Sequence, residues 1–184
     1  MNEPPRLAGP DLRDLFVLFD AVDEMPEVEW VAADEVPSPY DRLLVHPHHM
    51  TVTVEAHHGD LVDVHILERK QGDDWYARKI LLELQKSRKV VQFGMVRVTL
   101  PYCGPEVQAR ILEGKTPLGR ILIEHDVLRR IEPTAFFRVT PGPLLTQWFG
   151  LSEPRDTYGR LGIIHCDGQP AIEVLEILAP ITSA

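Results

Sequence analysis

Two strand-like runs in this 184-residue chain carry an arginine where an apolar or threonine side chain would suit a sheet better: Arg78 in "WYARKILL" and Arg97 in "FGMVRVTL". A guanidinium in such a place must find an anion or reach solvent, and on a one-sided sheet the alternation of side chains allows either. Glu176 in "VLEILAP" is the same kind of oddity. It faces away from Glu173, so at most one of the two points into a core-facing pocket. A further cluster lies in "EGKTPLGRILIEHD", residues 113–126, where Lys115, Thr116, Pro117, Gly119 and Arg120 crowd together in an otherwise acidic chain. Thr116 reads as a helix N-cap and Pro117 as the first helical residue. The N–H groups of a first turn lack intrahelical partners, and the helix dipole favours an anion there by about 0.3–1 kcal/mol. An arginine fork adds about 1.5–3 kcal/mol for each charge-assisted bond to a carboxylate. The chemistry these residues share is the binding of a carboxylated ligand.

The histidines offer a competing chemistry. "HPHH" occupies 46–49, with His57, His58 and His65 downstream. A His-x-His start on a β scaffold resembles a cupin-like metal site, but that needs third and fourth ligands in a geometry the spacing does not supply. The plainer reading, a polar loop at 46–49 and a solvated hairpin turn at 57–58, is preferred, and no metal is expected. Cys103 and Cys166 form no CxxC pair and lie in no nucleophile motif, so they read as two structural thiols in a reducing compartment.

These side chains need elements to position them. Asp11 and the spacing of Leu12, Leu15, Phe16, Phe19 and Val22 predict a helix over 11–22, followed by a proline-rich acidic connecting segment to about residue 40. "MTVTVEA" and "LVDVHILER" alternate with period two around "HHGD" and predict a hairpin. "DWYARKILLEL" and "KVVQFGMVRVTLP" predict two more strands joined at "QKSRK". "GPEVQARILEG" reads as a helix stopped at Gly114, and "LGRILIEH" as a second short one. "VLRRIEPTAFFRVT" returns to strand, interrupted at Pro133, and "GPLLTQWFG" reads as a short helix. "YGRLGIIHC" and "QPAIEVLEILAP" close a hairpin at Asp167-Gly168. The sum is one α+β domain over 1–184, with about six mostly antiparallel strands and three or four helices.

Composition limits the partners. A net charge of −9 with no Lys/Arg-rich run argues against nucleic acid, and no 18-residue apolar run or secretory leader is present, so a cytoplasmic protein is expected. No heptad or clear exposed apolar stripe points to an oligomeric state.

"LLVHPHHMT", "YARKILL", "VRVTLP", "GKTPLGRIL", "YGR" and "LEILAP" occur in the order and rough spacing of the chorismate lyase family, which converts chorismate to 4-hydroxybenzoate and pyruvate. The chain resembles that family over about residues 41–180, most specifically at "GKTPLGR". The resemblance implies a mostly antiparallel six-stranded sheet with helices packed on it and a ligand pocket beneath helical flaps. It implies catalytic roles for Arg78 and Glu176, and substrate contacts through the backbone of Met50 and Leu118. Arg97 and Arg160 are expected to add positive potential to the site. It implies no metal or organic cofactor, because aromatisation drives the loss of the enolpyruvyl group and a ring proton. Lys79 stands where better-known members carry an acid, and "TAFFRVTPGPLLTQWFGLSEPRDT" is longer than theirs, as in a divergent branch. The ligand-binding domains of some bacterial transcription regulators resemble the same fold. The roughly 40 residues ahead of the matching region hold one convincing helix rather than a winged helix, which favours an enzyme over a non-catalytic binding protein or sensor.

Overall fold

In the structure, a computed structural model that describes residues 9–181, Asp11 caps the first helix: its Oδ1 accepts from the backbone N–H of Arg13 at 2.8 Å and of Asp14 at 3.4 Å. Helix α1 spans Leu12–Leu18, shorter than the expected 11–22, and buries Leu12, Leu15 and Phe16. The connecting segment that follows is not only a linker. Its residues Glu27–Val31 form a strand, β1, that pairs antiparallel with the strand over Arg129–Thr140.

The sheet therefore has seven strands rather than six. They are β1, then β2 (Val62–Gln71), β3 (Trp75–Leu84), β4 (Val90–Thr99), β5 (Arg129–Thr140), β6 (Thr157–Cys166) and β7 (Gln169–Leu178), in the order β1-β5-β6-β7-β4-β3-β2. Every neighbouring pair is antiparallel. The register slips between Pro133 and Ala135, where the proline cannot donate to the ladder. Asp167 and Gly168 both adopt positive φ, 50° and 81°, as a tight hairpin turn requires.

A second difference concerns "MTVTVEA". It is helix α3 (Met50–His58), not a strand, and it stops at Gly59 in the left-handed conformation (φ 63°). The buried residues are Met50, Thr51 and Val54, a helical set, while Val52 is 45% exposed. Alternation of Val and Thr with polar residues imitates period two, and packing overrides that local preference. The remaining helices are α2 (Tyr40–Leu44), α4 (Pro105–Glu113), α5 (Leu118–Glu124) and α6 (Pro143–Trp148).

Strand alternation divides the core into two layers. One face of the sheet, with Phe93, Met95, Leu175 and Ile177, is covered by α1 and by α6, whose Trp148 stacks on Phe93 at 5.4 Å. The other face carries Val96 and Val174 under α4 and α5, and Ile80, Leu82 and Leu178 under α2 and α3. Cys103 and Cys166 are buried free thiols on this second side. A hydrogen bond between them lowers the Cys103 thiol and, with burial, raises Cys166. Among the described residues no helix is long and apolar enough to cross a membrane.

Candidate functional site

Register places the two strand arginines on opposite faces. Arg78 pairs with Val96 across β3 and β4, so it shares the α3/α5 side; Arg97, one residue on, faces the α1 side and is ion-paired to Glu173. Arg97 is therefore not part of the pocket that holds Arg78. Lys79 also points to the α1 side, where it reaches Glu24 at 3.1 Å and Glu68 at 3.4 Å, so whatever its identity it cannot orient Arg78.

Arg78 is 2% exposed and lines a cavity of about 50 Å³ between the sheet and the ends of α3 and α5. That volume holds a few waters at about 10–15 Å³ each. Met50, Leu118, Glu176, Gln92 and His49 line the same space. All four residues expected at a site, Arg78, Glu176, Met50 and Leu118, thus meet around one cavity. Arg78 Nη2 donates to the Thr116 carbonyl at 3.3 Å, while its Nε and Nη1 have no hydrogen-bond partner among the described residues. Burial lowers its pKa from the ordinary arginine value; the adjacent Tyr76 phenol partly offsets this, and Arg69, its cross-strand partner, adds a repulsion. The phenol oxygen itself closes no well-formed hydrogen bond.

Glu176 and Arg160 are held differently. They are register partners across β6 and β7, and Arg160 Nε donates to Glu176 Oε2 at 2.6 Å. The rest of the Arg160 fork is spent on backbone: Nη1 donates to the carbonyls of Leu44 and His46, each at 2.9 Å, and Nη2 to that of His48 at 3.1 Å. Arg160 is thus a structural bracket that ties the α2–α3 loop to the floor, with no group left over as a free cation for a ligand. That tie explains the "HPHH" loop better than metal does. Among the described residues no three His, Cys, Asp or Glu side chains gather as a metal site. His57 and His58 form the last turn of α3 rather than a hairpin turn. Burial pushes both His46 and His49 down to about 4, which makes them neutral at pH 7.

The "GKTPLGR" segment closes the roof, with some revision of roles. Pro117, not Thr116, is the N-cap residue of α5, and no side chain caps the helix. The Thr116 hydroxyl instead accepts from Arg110 Nη2 at 3.1 Å. Arg120 crosses to α3 and pairs with Glu55, whose Oε1 also accepts from the Val62 N–H at 3.0 Å. A Cβ on Gly119 would come to 3.0 Å from both His49 Cβ and Thr51 Oγ1. The glycine therefore serves the close approach of α5 to the start of α3, and it also lines the cavity. Sequence reasoning missed Gln92 and read His49 only as part of the 46–49 cluster, not as a cavity residue; for Gln92 the available signal was an amide two residues before Gly94 on the strand face shared with Val96.

No family model matches the chain, and no curated protein does either. Solved structures do. The chain is similar to PhnF from Mycobacterium smegmatis, at 10% identity over 78% of this chain and 72% of that one, with a TM-score of 0.52. It also aligns with a structure described as the ligand-binding domain of a GntR-family transcriptional regulator from Bordetella bronchiseptica, at 13% identity over 67% of this chain and 92% of that one, TM-score 0.48. At 10% identity the likeness to PhnF is one of fold: an α+β domain built on a large antiparallel sheet.

Proposed function

We propose that this domain binds a small carboxylated molecule, a carboxylated ring among the candidates, at the cavity under α3 and α5, with Arg78 taking the carboxylate and with the two helix ends parting to widen a space that has room for only a few waters. The observation that carries this reading is Arg78 itself, a nearly fully buried cation with two nitrogens unpartnered and only a carbonyl on the third. Burying a charge is costly unless an anion compensates it, and the carboxylate lining the same cavity, Glu176, is engaged by Arg160. Calorimetric titration with benzoate, 4-hydroxybenzoate and chorismate tests the reading. Arg78→Met is expected to weaken carboxylate binding about tenfold to a hundredfold, the loss of one charge-assisted bond. Equal affinity of wild type and variant sinks it.

A second reading is favoured by Glu176, which lines the same cavity and, held by Arg160 through Oε2, has an Oε1 with no partner among the described residues. In that reading the domain is a cofactor-independent chorismate lyase. The bond from the ring carbon to the enolpyruvyl oxygen breaks, the ring loses a proton, and 4-hydroxybenzoate and pyruvate result. Arg78 stabilises charge on the departing oxygen and Glu176 bonds the ring hydroxyl or moves the proton. Chromatography of pyruvate and hydroxybenzoate separates the two readings. Turnover by wild type but not by Arg78→Ala or Glu176→Ala supports the lyase; Arg78-dependent binding without turnover supports a non-catalytic binding domain.

A further inference from the structure

The Arg78 cavity has a second polar pole that the carboxylate reading does not use. Its floor is built in rows by the register: Arg78 with Val96 and Val174, then Ile80 with Gly94 and Glu176, then Leu82 with Gln92 and Leu178. Gln92 is 3% exposed, sits in a row of two leucines, lines the cavity, and its Oε1 has no hydrogen-bond partner among the described residues. A buried amide oxygen left unmade is costly, and leucine or valine would fill such a row at no such cost. From Val96, beside Arg78, to Gln92 is four residues of strand, about 13 Å at 3.3 Å per residue. Arg78 and Gln92 line one cavity from rows two apart, so a single ligand that occupies it can meet both.

We infer that Gln92 is a specificity-determining residue of this site, whose carbonyl oxygen accepts a hydrogen bond from a neutral donor, a hydroxyl or an amine, at the end of the ligand opposite its carboxylate. The inference rests on the carboxylate reading and narrows it to hydroxy- or amino-substituted ring acids. In the orientation described the unpaired atom of Gln92 is its carbonyl oxygen, which only accepts, so a methoxy group or a second carboxylate at that end gains nothing from Oε1. Sites built to pair with a ligand hydroxyl discriminate through the cost of leaving their own polar group unpaired, not through shape alone.

The test is a calorimetric comparison of benzoate, 4-methoxybenzoate, 4-hydroxybenzoate and 4-aminobenzoate on wild type, Gln92→Leu and Glu176→Gln. Wild type is expected to bind the hydroxy and amino acids about tenfold or more tighter than the other two. Gln92→Leu is expected to lose that preference while still binding benzoate, and to melt no lower than wild type, because it removes an unpaired oxygen. A merely structural glutamine would lower the melting temperature and leave the preference intact. Should Gln92→Leu fail to fold, Gln92→Met, closer in length, gives the same readout. The inference is overturned if the preference survives in the Gln92 variant, or if it is lost only in Glu176→Gln, which assigns the donor contact to Glu176. If wild type binds none of the four acids, or binds them independently of Arg78, the carboxylate reading fails and this inference fails with it. Arg78-dependent binding with no preference in wild type overturns the Gln92 role alone.

Discussion

Two arginines lie almost fully buried on one face of the sheet, and what surrounds each gives them opposite energetic signs. Arg160 donates to Glu176 and to three backbone carbonyls, so its desolvation is compensated. Removing it strands a carboxylate and the carbonyls of Leu44, His46 and His48. Arg160→Met is therefore expected to destabilise by about 3–5 kcal/mol, measurable as a lower urea midpoint. Arg78 has one weak carbonyl contact and two unpaired nitrogens. Arg78→Met removes that burden, worth about 1–3 kcal/mol, and is expected to raise the melting temperature by a few degrees in a chain of this length while carboxylate binding falls. Scanning calorimetry on the two variants decides; a large drop for Arg78→Met would mean that its buried charge is structural. Arg78 and Glu176 were legible in the sequence because each is a charged residue inside an apolar strand. Arg160 was legible only as a residue in the family order, since nothing local tells a bracket from a ligand contact.

At the scale of elements, the cavity is defined by how closely α5 approaches α3. Gly119 sets that distance, since a Cβ there would stand 3.0 Å from His49 and Thr51 and the neighbours would have to give way slightly. Gly119→Val is expected to cost about 1–3 kcal/mol by overpacking and to loosen ligand binding by displacing α5, both followed by denaturant midpoints and titration with 4-hydroxybenzoate. An unchanged midpoint would mean that the helices adjust freely. The same contact explains why "MTVTVEA" misled: its Val and Thr residues suit a strand, and only the buried set Met50, Thr51 and Val54, seen once α5 and the second side of the sheet are in place, makes it a helix. The strand β1 was hidden for the converse reason. "EVEWV" sits among prolines and acids and pairs only with β5, more than a hundred residues away in sequence.

At the scale of the whole molecule, two histidines couple stability to pH. His46 and His49 are held near 4 by burial, below an unfolded value of about 6.5. The folded chain thus binds fewer protons than the unfolded one between about pH 6.5 and 4. The stabilisation is present in full above about 6.5 and is lost as the pH falls toward 4. Urea midpoints are expected to decline through that window, and His49→Gln to make the decline shallower; an equal slope in wild type and variant would rule His49 out as a cause.

The sequence by itself determined most of the strands and helices, the closing hairpin at Asp167-Gly168, and the identity of the polar residues that stand out in apolar runs, because these follow from short-range periodicity and from the cost of a charge inside a strand. Tertiary structure alone decided which face each charge serves, that Arg160 brackets a loop while Arg78 is left unpaired, that Gly119 spaces two helices, and that Gln92 joins the cavity. Each of those depends on cross-strand register or on helices packed from elsewhere in the chain, of which the alternation along a single strand shows only a part.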